Sequence, residues 1–214
     1  MEIRPLTEGV YLHTSYGDVP GYGLYPSNGL VVVVEDDAYI IDTPWPEADT
    51  DKLIAWIEQQ GLQLVASLST HFHSDRTSGI PTLNKAGVTT YASTMTNQLL
   101  AEHGKELAAV GFDPDGFWLL KDRIYAWHPG AGHSLDNVVV WLPEQKLLVG
   151  GCLVRSLETN SMGNTADGDI EEWPRSIQSV ETAHPDISIV VPGHGLPGNA
   201  DLLKHTRAIF APKE

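Results

Sequence analysis

The chain has 214 residues, enough for one compact α/β domain, and 42% hydrophobic with 19% charged residues is the balance of an ordered globular protein. A formal net charge of -15 argues against a partner held through phosphates, because a polyanion is gripped by a basic face that releases counterions. No apolar run approaches the roughly 20 residues of a membrane-spanning helix, and a single cysteine rules out an internal disulfide.

Along the chain, Gly29 to Val34 and Ala38 to Thr43 are β-branched runs separated by Glu35-Asp36-Asp37, which predicts a hairpin in a sheet-rich N-terminal third. From Asp49 to Gln60 the apolar Leu53, Ile54, Trp56 and Ile57 fall near helical spacing, with Asp49 or Thr50 as cap and Gly61 as stop. Leu64 to Ser69 reads as a buried strand running into Thr70-His71-Phe72-His73-Ser74-Asp75-Arg76. A helix over Ile80 to Ala86, a strand over Thr89 to Ala92 and a helix over Thr96 to Ala109 follow. The second half predicts strands near Arg123 to Trp127, Asn137 to Leu142 and Lys146 to Val149, a helix from about Ile170 to Ala183, strand Ile187 to Val191 and a last helix from Ala200 to Phe210. Two successive blocks, each with strands first and helices after, make the expected fold an α/β sandwich of αββα type: two packed mixed sheets with helices on the outer faces, as one domain over residues 1–214.

The chemistry gathers where strands end. His71, His73 and Asp75 leave a strand at alternate positions, so two imidazoles and a carboxylate converge, the donors zinc takes at about 2.0 to 2.2 Å. Two satisfied histidines in a turn are the plain alternative. His133 lies in Gly130-Ala131-Gly132-His133-Ser134, His194 in Pro192-Gly193-His194-Gly195, and Cys152 follows Leu147-Leu148-Val149-Gly150-Gly151. Taken singly, either histidine reads more readily as an ordinary loop histidine, and the thiol reads equally well as a small buried hydrophobe. Beside His and Asp ligands, however, the lone thiol becomes a soft thiolate donor. His13, His103, His128, His184 and His205 lack such flanks and read as structural or surface residues.

On these residues the chain resembles the metallo-β-lactamase superfamily, and within it the class B enzymes whose second zinc site is Asp-Cys-His. The resemblance rests on His71-x-His73-x-Asp75, Gly132-His133-Ser134-Leu135-Asp136-Asn137, Gly150-Gly151-Cys152-Leu153 and Pro192-Gly193-His194-Gly195, and runs from about Val10 to Phe210. It implies two zinc ions, one on His71, His73 and His133 and the other on Asp75, Cys152 and His194. It further implies opening of the β-lactam ring of penicillins, cephalosporins and carbapenems by a metal-bound hydroxide, with Asp75 orienting that hydroxide.

The resemblance also gives Asn164, in Gly163-Asn164-Thr165, as the donor to the lactam carbonyl. Arg155, three residues after Cys152, takes the place of a lysine that binds the substrate's carboxylate, and Arg can pair with it side by side. The segment Tyr16 to Pro26, with Val19 and Tyr22, is similar to a mobile hairpin closing over substrate, and Trp45 is a candidate for the opposite wall. The expected partner is a small-molecule β-lactam, with no nucleic acid or membrane; a monomer is expected, in the periplasm after removal of a signal peptide absent from this chain. Two alternatives stand beside this reading. A glyoxalase-type thioesterase or lactonase of the same superfamily would carry His where Arg76 stands and a bridging carboxylate where Cys152 stands. A non-enzymatic structural zinc site would fill all four positions with protein donors.

Overall fold

The computed structural model describes residues 1–21 and 23–210. The chain divides into two compact units, Met1–Phe112 and Asp113–Glu214.

The N-terminal unit is built on a seven-stranded sheet in sequence order. Its first strands, β1 (Glu2–Thr7), β2 (Val10–Val19), β3 (Gly23–Val34) and β4 (Asp37–Ile41), pair antiparallel. The hairpin expected around Glu35 is the β3–β4 turn, with Glu35 at φ 57. From β4 onward, β5 (Gln63–Leu68), β6 (Thr89–Ser93) and β7 (Val110–Phe112) run parallel. Parallel neighbours need crossover connections. They are α1 (Glu47–Gln59), the pair α2 (Ser74–Thr77) and α3 (Ile80–Lys85), and α4 (Thr94–Glu102). Leu53 and Ile57 of α1 pack with Val31, Ala38, Ile40 and Leu83 into one buried cluster.

Two expectations are corrected in this unit. Helix α1 starts at Glu47 after Pro46 and has no side-chain cap; Asp49 is buried inside it, 3.8 Å from the N-terminal ammonium and 2.6 Å from Lys52 Nζ. Helix α4 stops at Glu102 rather than Ala109. The reason is side-chain capture: Asn97 Oδ1 accepts from Ala108 N at 2.9 Å and Asn97 Nδ2 donates to Ala108 O at 3.1 Å, folding that stretch back along the helix.

The C-terminal unit holds a five-stranded sheet in the order β12-β11-β10-β9-β8. Strands β8 (Phe117–Leu120), β9 (Ile124–Trp127), β10 (Val139–Leu142) and β11 (Leu147–Gly151) form an antiparallel meander. Helix α5 (Trp173–Ala183) then carries the chain to β12 (Ile189–Pro192), parallel to β11, before α6 (Asp201–Phe210). The core joins Trp173, Ile177 and Val180 of α5 to Leu202, Leu203 and Phe210 of α6 and to Val139, Leu148 and Val190 of the sheet. Trp173 anchors it, with no exposure, its ring stacked 3.8 Å from that of Phe210 and its Nε1 donating to Leu153 O at 2.7 Å. Truncating such a residue costs about 3–5 kcal/mol.

Candidate metal centre

Beyond the carboxyl end of β5 the chain turns through His71, His73 and Asp75, whose donor atoms lie within 4.8 Å of one another. The two imidazoles meet edge to face, with His71 Nε2 3.0 Å from His73 Nδ1. His71 and Asp75 are 1% and 6% exposed, while His73, the residue before α2, is half-buried.

A one-turn helix does not hold such a geometry by itself; buried polar contacts do. The Arg76 carbonyl accepts from Thr43 N, Thr43 Oγ1 and Ser69 Oγ, each at 3.0 Å. Ser27 Oγ donates to Asp75 O at 3.1 Å, and Thr77 Oγ1 to His73 O at 2.9 Å. Arg76 has no exposure; its guanidinium lies 2.8 Å from Asp75 Oδ2 and 3.4 Å from Asp42 Oδ2 and also donates to Asn28 O. Asp42 takes the left-handed conformation (φ 62), which Asp tolerates better than most residues, and aims its carboxylate back to accept from Thr70 N and Oγ1 at 2.7 and 3.0 Å. The same residue's carbonyl accepts from His13 Nε2 at 3.0 Å.

Burial sets the charges of this support. It pushes the Asp42 carboxyl up to about 6, against the pull of Arg76 and the Thr70 donors. It drives His13 down to about 4, the Asp42 carbonyl working the other way, so the imidazole is neutral. Lys105 is likewise lowered by burial and partly held up by Asp75. Sequence reasoning read Arg76 only as a discriminator and missed Asp42; the signal was an Asp directly after the buried β4 run.

In the C-terminal unit, register places the second donor set. The parallel pairing of β11 with β12 sets Leu148 beside Val190 and Gly151 beside Pro192, so both strands end together. Gly193 N donates to Gly151 O at 2.7 Å, and Cys152 Sγ stands 3.3 Å from His194 Nε2. His133 is 7% exposed, its ring edge-on to Trp173 at 6.0 Å. Its loop is laced by Asn137, which accepts from Ser134 N at 2.9 Å and donates to Ser134 O at 2.6 Å. The donor chemistry of each set, imidazoles with a carboxylate in one and imidazoles with a thiol in the other, fits zinc.

The other expected residues fall out as follows. Arg155 is only 7% exposed, and its amide donates to Thr206 Oγ1 at 2.8 Å. Gly163, at φ 69, lies directly against its guanidinium, so a side chain there would be strained and would displace it. Asn164 is exposed and its Oδ1 accepts from Ala166 N at 3.1 Å. Val19 ends β2 half-buried beside its hairpin partner Gly23; Tyr22 lies outside the described residues. Trp45, expected opposite the hairpin, lies against Gly17 of the hairpin's own strand, and its amide donates to Ser15 Oγ at 2.8 Å. Of the remaining histidines, His13 and His205 make structural contacts, His205 Nε2 meeting Thr159 O at 2.7 Å.

Comparison with known proteins spans the whole chain. A family model described as the metallo-beta-lactamase superfamily matches residues 22–194. A Pseudomonas aeruginosa protein named metallo-beta-lactamase type 2 is 43% identical over 206 residues, covering 96% of this chain and 82% of its own length. Among solved structures, TMB-1 and DIM-1, the latter exposed to ceftazidime, are each 46% identical with TM-scores of 0.96, covering 98% of this chain and 96% and 95% of theirs. The likeness bears out the αββα fold class.

Proposed function

The chain belongs to the metallo-β-lactamase superfamily, and from that premise we propose that it is a zinc-dependent β-lactamase acting on penicillins, cephalosporins and carbapenems, and so conferring resistance to them. The observation that carries the reading is a likeness spanning 98% of the chain, with donors suited to zinc at the end of β5 and at the joint end of β11 and β12. The enzyme hydrolyses the lactam amide: water's hydroxyl goes to the acyl carbon, the C–N bond breaks, and the nitrogen takes the proton.

We assign one zinc to His71, His73 and His133 and a second to Asp75, Cys152 and His194, within a single functional domain over residues 1–214. Zinc when bound lowers the pKa of a coordinated water toward neutrality and polarises a carbonyl. The chain's own groups do the rest. Asp75, fixed through Arg76 and Ser27, orients the attacking water. Asn164 engages Ala166 through Oδ1, which leaves Nδ2 as the donor for the lactam oxygen. Arg155 supplies the cation for the substrate's carboxylate, and Val19, Tyr22 and Trp45 its apolar contacts. Arg76 and Cys152 stand where a thioesterase or lactonase of the superfamily would carry His and a carboxylate, which disfavours that reading.

Among the described residues no helix is long and apolar enough to cross a membrane. We further propose a monomer acting in the periplasm. The test is nitrocefin and imipenem hydrolysis followed by absorbance. Chelation abolishes turnover, zinc restores it, clavulanate leaves it unchanged, and chelator-resistant turnover sinks the proposal. Arg155→Ala costs about ten- to a hundredfold in kcat/KM, mainly as raised KM, because a charge-assisted hydrogen bond made equally before and during ring opening is lost. An unchanged KM removes Arg155 from the site.

A further inference from the structure

Helix α4 ends in a corner that turns back on the ligand-bearing turn. Gly104 sits at φ 64, the left-handed conformation that glycine adopts without a Cβ penalty, and Lys105 N donates to Leu100 O at 2.9 Å, closing the helix end. The reversal brings the Lys105 ammonium to Phe72 O at 3.2 Å and Ser74 Oγ at 3.1 Å, the residues directly before and after His73. The same ammonium stands 5.6 Å from the centre of the Phe72 ring, and His103, one residue before the reversal, stacks on that ring at 4.9 Å. Phe72 itself is 4% exposed, packed with Ile80, Ala92, Leu100 and Ala108.

We propose that the His103–Gly104–Lys105 corner is a brace that sets His73 for metal binding, with Lys105 as its positioning residue; the inference rests on the zinc reading above. His73 is the donor of its set that burial alone does not fix: it is half-buried, whereas His71 and Asp75 are buried, and the helix it precedes has four residues. On its own element the ties run to its backbone, where the carbonyl accepts from Arg76 N at 3.0 Å and from Thr77 N and Oγ1 at 3.1 and 2.9 Å. Lys105 clamps the chain on both sides of His73 at once, and the stacked Phe72 and His103 rings hold the preceding residue flat against α4. Position and charge make opposite demands here. A cation near a metal repels it, so if Lys105 acted through its charge alone, its removal would tighten zinc. If it acts as a brace, removal weakens zinc.

The sign of that change is the test. Zinc affinity of each site is measured by chelator competition on wild type, Lys105→Met and Lys105→Arg, with cobalt spectra as a second readout. Lys105→Met keeps an unbranched stem over Phe72 and loses both hydrogen bonds. Its affinity at the site containing His73 falls about ten- to a hundredfold, the usual cost of removing an outer support of a ligand. The cobalt–thiolate charge-transfer band of Cys152 is retained, and Lys105→Arg recovers part of the loss. Unchanged or tighter zinc in a folded Lys105→Met overturns the brace, as does a lowered melting temperature with zinc affinity intact. If Lys105→Met does not fold, Ser74→Ala takes its place: it removes one exposed acceptor and weakens the same site severalfold, and unchanged affinity overturns the proposal. Wild type that binds no zinc in this assay defeats the functional reading itself, whereas two tight sites in wild type and in Lys105→Met defeat only the brace.

Discussion

The two donor sets are built by opposite means. His71, His73 and Asp75 lie within one turn of chain, so sequence brings them together and buried hydrogen bonds must give them shape: one carbonyl of Arg76 with three donors, a fully buried guanidinium between Asp75 and Asp42, and the Thr70 donors on Asp42. Cys152 and His194 are distant in sequence, and the β11–β12 register brings them together. Local ligands therefore depend on charge balance beneath them, and remote ligands on strand pairing and packing.

The largest effect that tests this contrast is Arg76→Met. It leaves the Asp42 carboxylate buried without its cation, a change that costs about 3–5 kcal/mol. Denaturant unfolding of the metal-free protein reads it. The double variant Arg76→Met, Asp42→Asn recovers part of the loss, because one of the two stranded charges goes with the second substitution while that of Asp75 remains. A loss under about 1 kcal/mol, the size of an exposed ion pair, would break the contrast.

That same network is what the sequence hid. The His-x-His-x-Asp turn, the Gly-flanked histidines and the order of most elements were legible because ligand spacing and β-branched runs are local signals. Strands β7 and β8, of three and four residues, are too short to show a period, and β8 carries an exposed Trp118. Helix α4 was read too long because Leu107, Ala108 and Ala109 favour helix, while the Asn97 contacts that fold them back are tertiary. Nothing local marks Arg76 as fully buried, since an arginine after a ligand turn is exposed in most settings.

The second test is pH, where the network carries two opposite linkages. His13 titrates at about 4 folded against 6.5 unfolded, so as pH falls from 6.5 to 4 the unfolded chain takes the proton first and stability is lost. Asp42 titrates at about 6 folded against 3.8 unfolded, so the folded state takes the proton first and stability is gained as pH falls through the overlapping window. Each shift spans more than two pH units at about 1.4 kcal/mol per unit, so each is worth on the order of 3 kcal/mol and the two nearly cancel. Asp42→Asn removes the gain and exposes the loss. Between pH 6.5 and 4 its metal-free stability falls relative to wild type by up to about 3 kcal/mol, read from urea unfolding at four pH values. Parallel curves would mean that the pair does not carry the charge balance assigned to it.

The smallest expected effect lies in the C-terminal set, at Asn137. Its amide is 2% exposed, accepts from Ser134 N and donates to Ser134 O, with a longer contact to Gly130 O at 3.4 Å, and so closes the loop that carries His133. Asn137→Ala leaves those backbone groups to find other partners, at about 1–3 kcal/mol for neutral groups, below the cost at Arg76 because no charge is stranded. The loop holds a single donor, so the substitution weakens only the zinc assigned to His133, while Cys152 and His194, set by strand register, keep theirs. Unfolding of the metal-free variant gives the first quantity and chelator competition the second. A destabilisation as large as that of Arg76→Met, or equal weakening of both zinc ions, would show that the remote donors also depend on one polar network and that strand register alone does not place them.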